Sequence, residues 1–396
     1  MSAPYFPQVL FAPIEERAVR GVVAPQRYMQ GPGVLERLGR ALQVMSVSHA
    51  AVLISPNGIK RFGQKIQSSL ADVGLAGDYA KFDGECSLEH IERSVAELSE
   101  RTPSVDCLVA VGGGKCIDAG KAIAFRLGVP IVVVPTLAST DAPCSAVSVL
   151  YTPEGVVSGA EFFPENPACV LMDTEILIAS PARYLVAGMG DALATWYEAR
   201  TCQANSDASS VLGCRPTLAA SKIGELSSQT IYARGAAALD AAKSGRLNDA
   251  FEDVVEANTL HSGLGFESGG LAAAHAVASG LTFVPKVDEA AMHGEMVALG
   301  ILTQLVLESD EAEYEKAQAL FMTVGLPVHF GQVALELEAD ETEFETFVAA
   351  TCGYPTMANM AMPVDGAMLK RAVKAVDERG RAAVAHDGDA AFQSLR

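Results

Sequence analysis

The stretch Cys107–Thr136, CLVAVGGGKCIDAGKAIAFRLGVPIVVVPT, determines the class of fold. It begins with an apolar run, passes through three glycines, continues as a helical pattern and ends in a second apolar run. Runs that are apolar at successive positions predict strands buried on both faces, as in a parallel sheet covered by helices. The stretch therefore predicts two parallel strands joined by a helix.

The same alternation extends on either side of this stretch. Helical patterns at GVLERLGRALQV, IKRFGQKIQSSLADVG and SLEHIERSVAELSER alternate with apolar runs at AAVLISP and ACVLMDT. This rhythm predicts an α/β domain with a doubly wound parallel sheet. Beyond ACVLMDT helical patterns take over, with Ser180 as the predicted N-cap and Pro181 at the first helical position. We expect an α/β dinucleotide-binding domain over residues 1–180 and an all-helical domain over residues 181–396.

Composition excludes several classes of protein. The formal net charge of −19 repels phosphate backbones and anionic lipid, so neither nucleic acid nor a membrane surface is an expected partner. No apolar run approaches the length of a membrane helix, and the N-terminus has no secretory pattern. The eight cysteines lack metal-site or disulfide spacing and are expected to be reduced. We predict a cytoplasmic protein.

Three glycines, Gly112, Gly113 and Gly114, lie between the predicted strand and helix. Glycine lets a backbone approach an anion closely, and a helix N-terminus offers N–H groups and a positive dipole end. Neither the P-loop pattern nor GxGxxG is present, and a tight turn that needs a positive φ is the alternative explanation. Lys115 is expected to support phosphate binding, and Asp118 to complement the helix dipole.

A family resemblance rests on five segments: GGGKCIDAGK, PTLASTDAPCSAVSVLYT, GMGDALATWYEAR, ESGGLAAAHAV and HGEMVALG. They resemble the glycerol dehydrogenase family within the iron-containing, or group III, alcohol dehydrogenases, whose architecture is shared with dehydroquinate synthase. The resemblance implies NAD-dependent oxidation of glycerol, or of a related small vicinal diol, to dihydroxyacetone. It also implies a zinc or iron ion in a cleft between the two domains, and a homo-oligomer, either a dimer or an octamer.

The resemblance also implies the residues of the nucleotide and substrate sites. Asp141 falls where the family holds substrate hydroxyls. With the first two glycines of the loop, the predicted cofactor-binding residues are Gly112, Gly113, Gly114, Lys115, Thr136, Ser139, Ser145, Val147 and Tyr151.

The implied metal ligands are Asp191, His275 and His293, which with Asp141 are the predicted catalytic residues. Two imidazoles and one carboxylate leave a coordination position open, as catalytic metal sites do. The ion would lower the pKa of a bound hydroxyl and prepare it for hydride transfer to the nicotinamide. Zinc and iron both stay open, and a helix-start acid with two packed histidines is the alternative that needs no metal.

The choice between NAD and NADP also stays open. Related sequences carry an acid at the end of the strand AVLISP, where this chain has Ser55 and Pro56. Such an acid binds the ribose hydroxyls and repels a 2′-phosphate, and here Lys60 and Arg61 follow closely instead. An NADP-preferring polyol or aldehyde reductase is therefore one alternative.

A second alternative is a non-redox lyase of the dehydroquinate synthase type, which acts on phosphorylated sugars and needs basic clamps. Only Lys286 is basic between residues 255 and 300, which favours a neutral polyol. A third is a metal-stabilised binding protein without turnover, for which a nucleotide loop has no purpose.

Overall fold

The computed structural model describes residues 4–396, which form two compact units. The first unit contains residues 4–10 and Val23–Ser180, and the second contains Phe11–Val22 and Pro181–Arg396. The structure thus differs from the predicted division at Phe11–Val22, because Arg20–Gly21 pairs in parallel with Arg215–Pro216.

Strands occur mainly in the first unit. Within residues 4–396 they are β1 (Arg20–Gly21), β2 (Tyr28–Gly31), β3 (His49–Ile54), β4 (Ala76–Lys81), β5 (Cys107–Gly112), β6 (Ile131–Pro135), β7 (Val147–Tyr151), β8 (Val157–Phe162), β9 (Cys169–Asp173) and β10 (Arg215–Pro216).

Six of these strands form one parallel sheet in the order β2-β9-β6-β5-β3-β4. The chain moves outward from β3 to β4 and returns to the other side of β3 with β5, so the strand order reverses between β3 and β5. Ligands of such sheets bind beyond the carboxyl ends of the strands at this reversal. The glycine loop follows β5 directly, which places it there.

Both faces of the sheet are covered, as the apolar runs predicted. On one face Val109 and Val111 of β5 belong to a buried cluster with Ile66. On the other face a Cβ on Gly120 would lie 2.6 Å from the Cβ of Ala110, so the helix after the glycine loop packs directly on β5. The predicted doubly wound α/β fold is confirmed.

A hairpin was missing from the sequence prediction. The polar stretch after β6 turns into β7 and β8, which pair antiparallel from Val147↔Phe162 to Tyr151↔Val157. Ser148 Oγ donates to the carbonyl of Asp118 at 2.8 Å, which ties β7 to the helix after the glycine loop.

Helices occur in both units and make up most of the second unit. Within residues 4–396 they are α1 (Gln8–Phe11), α2 (Leu38–Val44), α3 (Pro56–Ala71), α4 (Leu88–Ser99), α5 (Gly114–Leu127), α6 (Thr174–Ile178), α7 (Ala182–Ala204), α8 (Leu218–Ser244), α9 (Asp249–Glu256), α10 (Ser262–Gly269), α11 (Ala273–Leu281), α12 (Pro285–Ala290), α13 (His293–Glu308), α14 (Glu311–Val324), α15 (Glu341–Gly353), α16 (Gly366–Asp387) and α17 (Ala390–Gln393).

Helix α7 begins one residue later than predicted. Pro181 is its N-cap, because its ψ of 133° is extended, and Ala182 is the first helical residue.

Among the residues described, no helix is long and apolar enough to cross a membrane. All eight cysteines are free thiols, and Cys352 alone among them is partly exposed.

Candidate active site

Three predicted ligands meet in the helical unit. Asp191 lies on α7, His275 on α11 and His293 at the start of α13. Asp191 Oδ1 is 3.4 Å from His275 Nε2 and 3.5 Å from His293 Nε2, and one ligand atom of each residue lies within 4.8 Å of the others. Two ligands about 2.0 Å from a tetrahedral ion are about 3.3 Å apart. The three side chains therefore fit around one metal ion.

Glycines bring the three helices together. A Cβ on Gly190 would overlap the carbonyl oxygen of Gly294, so α7 and α13 touch through their backbones beside Asp191 and His293. A Cβ on Gly300 would likewise overlap the backbone of the residue that precedes His275. This close approach of the helices sets the separation of the ligands.

The cluster is closed around its acid and open at one histidine. The side chains of Asp191 and His275 are 1% and 10% exposed, whereas that of His293 is 43% exposed. Burial lowers the pKa of His275, but the carboxylates of Glu198 and Asp191 outweigh it and hold the pKa well above 6.5. This negative surrounding favours a cation.

Glu198 was not predicted. It lies on α7 seven residues after Asp191, which is about two helical turns and therefore the same face. Its Oε2 is 2.5 Å from His275 Nδ1, the ring nitrogen that faces away from Asp191. The sequence signal was the pair of acids at this spacing in GDALATWYE, on a helix that is otherwise apolar there.

The glycine loop has the geometry of an anion site. Gly113 is the N-cap of α5 with φ −84° and ψ −175°, and no side chain caps the helix. The positive-φ glycines lie elsewhere, for example at Gly128, so the turn explanation is wrong. A Cβ on Gly112 would lie 2.7 Å from the Cβ of Cys116, whereas one on Gly114 would meet only Thr140 Oγ1, at 3.8 Å. Gly114 thus leaves space at an uncapped helix end.

Two further predicted cofactor residues lie together near this end. Lys115 Nζ is 4.5 Å from the centre of the Tyr151 ring. The same amine is 2.6 Å from Glu85 Oε2, a partner that the sequence did not predict. Tyr151 is held in place by its backbone N–H, which donates to the carbonyl of Cys86 at 2.9 Å. The loop before α4 and the hairpin thus converge on Lys115.

The remaining predicted cofactor residues lie in the segment that follows β6. The Thr136 N–H donates to the carbonyl of Gly112 at 2.9 Å, which joins this segment to the glycine loop. Ser139 is half-buried in the same segment. Asp141, the predicted substrate residue, precedes the short 3-10 helix Ala142–Cys144. Asp141 and the cofactor residues lie in the α/β unit, and the three metal ligands lie in the helical unit.

A buried lysine supports this segment. Lys121 of α5 donates to the carbonyl of Ala142 at 2.9 Å, to Ser145 Oγ at 3.4 Å and to the carbonyl of Val147. Its own partner is Asp118, at 2.9 Å, with the two side chains 3% and 8% exposed. The expectation that Asp118 complements the helix dipole in the first turn is wrong, because α5 has no acid in its first turn. The carboxylate of Asp118 instead pairs with Lys121 and accepts from the Val149 N–H of β7.

One other side chain bears on substrate specificity. Lys286 Nζ lies 2.5 Å from Asp340, so the one lysine between residues 255 and 300 is already paired with an acid.

The start of α3 bears on the choice of cofactor. Ser55 Oγ accepts from the N–H of Gly58 at 3.1 Å and caps α3. Lys60 and Arg61 are exposed on the same helix.

Known proteins resemble the chain over most of its length. Residues 25–174 match the model of the iron-containing alcohol dehydrogenase family. The chain is 40% identical to the glycerol dehydrogenase of Escherichia coli O6:H1, over 91% of this chain and 98% of that protein. It is 41% identical to the glycerol dehydrogenase of Thermotoga maritima, over 91% and 97% of the two chains. The crystal structure of glycerol dehydrogenase from Schizosaccharomyces pombe superposes with a TM-score of 0.88 at 32% identity, covering 95% of this chain and 94% of that one.

Proposed function

Because the chain belongs to the glycerol dehydrogenase family of iron-containing alcohol dehydrogenases, we propose that it oxidises glycerol to dihydroxyacetone with NAD and a bound metal ion. The observation that carries the proposal is the convergence of Asp191, His275 and His293 at a place that stays accessible beside His293. An open three-ligand set of this kind suits catalysis and not a closed structural site.

We propose zinc as the metal. A bound divalent ion supplies a Lewis acid that lowers the pKa of a substrate hydroxyl. Asp191, His275 and His293 would hold the ion by one oxygen and two nitrogens, a set that both zinc and iron accept. Elemental analysis of protein isolated from cells tests this choice, and iron as the main metal would overturn it.

The glycine loop supports a dinucleotide. The uncapped start of α5 offers N–H groups to a diphosphate, and Gly114 leaves the space for it. NAD is proposed as the cofactor. NADP is the second candidate, because no acid follows β3 and Lys60 and Arg61 are exposed there. Comparison of kcat/KM for the two cofactors decides between them.

A neutral substrate suits the helical unit better than an anionic one, because the lysine of residues 255–300 is paired with an acid. Lys286 is neutralised by Asp340, so it is not free to clamp a phosphate or a carboxylate. We propose that Asp141 accepts a hydrogen bond from a substrate hydroxyl, which orients a diol or triol.

A homo-oligomer and a cytoplasmic location stay predictions. Light scattering of the purified protein tests whether it is an oligomer.

The deciding experiment measures reduction of NAD with glycerol, 1,2-propanediol, 2,3-butanediol and glycerol phosphates. We expect the neutral diols and glycerol to react and a chelator to abolish the activity, with recovery on addition of zinc. A failure of every diol would overturn the proposal. A preference for the phosphorylated compounds would overturn the neutral substrate while leaving hydride transfer to NAD in place.

A further inference from the structure

The carboxylate of Glu198 is fully buried and accepts three hydrogen bonds. The backbone N–H groups of Ala272 and His275 donate to Oε1 at 2.7 and 2.8 Å, and His275 Nδ1 lies 2.5 Å from Oε2. All three donors belong to the start of α11, where no side chain of that helix provides a cap. One carboxylate therefore holds both the backbone and the ring of His275.

We propose that Glu198 is a positioning residue that keeps His275 in the tautomer and orientation in which Nε2 faces Asp191 and binds the metal ion. The inference rests on the proposed metal site. An ionised carboxylate is only an acceptor, so Nδ1 of a neutral His275 must carry the proton and Nε2 must carry the lone pair. A carboxylate on the second nitrogen of a ligand histidine sets its orientation and raises its basicity.

The placement of Glu198 on α7 makes this constraint rigid. Asp191 and Glu198 lie about 10 Å apart along one face of the helix, and the imidazole of His275 spans the distance between them. Asp191 Oδ1 is 3.4 Å from Nε2, and Glu198 Oε2 is 2.5 Å from Nδ1. Rotation of the ring about χ1 would break both contacts. The two acids also carry together the charge that a divalent cation balances.

A buried carboxylate that caps a helix costs free energy, because its charge is removed from water. A neutral side chain would satisfy the N–H groups of Ala272 and His275 equally well, without removing a charge from water. The acid differs from a neutral cap in one respect: it can only accept a hydrogen bond from His275 Nδ1, and so fixes the proton on that nitrogen. This difference separates a positioning role from a merely structural one.

Glu198→Gln is the test, because it keeps the size and one acceptor oxygen but offers an N–H to Nδ1. The ring must then accept at Nδ1 and carry its proton on Nε2, the wrong tautomer for the metal. We expect the metal-free variant to bind Zn²⁺ about 10- to 100-fold more weakly in competition with a chromophoric chelator. The d–d spectrum of the Co²⁺-loaded protein should change, kcat should fall, and NAD affinity should stay unchanged.

Asp377→Asn is the matched control. Asp377 is another buried acid of the helical unit, which accepts from the Phe330 N–H at 2.9 Å and pairs with Arg381. The same change of acid to amide should leave the Zn²⁺ affinity at the wild-type value. Wild-type Zn²⁺ affinity and Co²⁺ spectrum in Glu198→Gln would overturn the inference, since the residue would then be a cap only.

Two further outcomes are informative. Should Glu198→Gln fail to fold, Glu198→Asp withdraws the carboxylate by one methylene and should weaken Zn²⁺ binding several-fold with the helical content retained. Unchanged affinity in that variant would equally overturn the inference. Zinc binding by the wild type without glycerol oxidation would overturn the proposed substrate while leaving the role of Glu198 testable by affinity alone.

Discussion

Gly190 and Gly294 lie in backbone contact between α7 and α13, and each is the chain neighbour of a proposed metal ligand. A Cβ on Gly190 would overlap the carbonyl oxygen of Gly294, and a Cβ on Gly294 would overlap that of Ala187. Any larger residue would push the two helices apart. The distance between Asp191 and His293 therefore depends on the absence of a Cβ at both glycines.

Gly294→Ala should separate the helices and weaken the metal site. Overpacking of this kind costs about 1–3 kcal/mol of unfolding free energy, and the ligands would no longer reach one ion. Metal content after purification and urea unfolding measure the two effects. Gly366→Ala is the control, because a Cβ there would meet only Val348, at 3.7 Å. Full metal content in Gly294→Ala would contradict the argument.

His275→Ala and Asp191→Ala should each lose the metal and the turnover. Removal of one of three ligands leaves a pair too weak to retain an ion during purification. NAD affinity should persist, because the glycine loop lies in the other unit. His386→Ala, at a side chain that is 84% exposed, should keep both metal and activity. Full activity in either ligand variant would refute the ligand assignment.

Gly114→Ala should weaken NAD binding without a loss of stability. The nearest atom to the new methyl would be Thr140 Oγ1 at 3.8 Å, so the protein tolerates it while the proposed diphosphate site does not. We expect a loss of about tenfold in NAD affinity, or about 1.4 kcal/mol. By contrast, Gly112→Ala should also lower Tm, because its Cβ would lie 2.7 Å from Cys116 Cβ. Equal NAD affinity in Gly114→Ala would rule out this site.

Lys121→Met should destabilise the α/β unit. It leaves Asp118 buried without its cation and frees the carbonyls of Ala142 and Val147, which is expected to cost about 3–5 kcal/mol. The KM for NAD should rise as well, because these carbonyls belong to the predicted cofactor segment. Lys222→Met is the matched change in an exposed pair, with Lys222 77% exposed, and should cost little. Urea unfolding of both variants provides the comparison.

His90 should make stability depend on pH. Burial first, and then Arg93, lower the pKa of His90 below its usual 6.5, so the unfolded chain binds the proton before the folded one does. Stability is therefore lost as the pH falls through 6.5, until the folded side chain is protonated too. Between about pH 7.5 and 5.5, His90→Gln should lose less unfolding free energy than the wild type. An identical loss in both proteins would show that another group is responsible. His386→Gln, an exposed site, serves as the control.

The limits of the sequence are visible at particular residues. Strands β5 and β6 follow from their apolar runs, because burial on both faces leaves a local pattern. Glu198 does not follow, since its partner His275 is far along the chain and the contact depends on how α7 and α11 pack. The same holds for Lys121, because its acceptors lie in the polar segment after β6 and depend on how that segment folds against α5.

The sequence by itself determined the α/β unit and the helical unit, and the resemblance of its motifs predicted the residues of the site. Only the tertiary structure decided that Asp191, His275 and His293 meet and that Glu198 orients one of them. Periodicity reports the surroundings of each residue along its own helix or strand. The separation of side chains on different helices depends instead on packing, and here it depends on the glycines that let those helices touch.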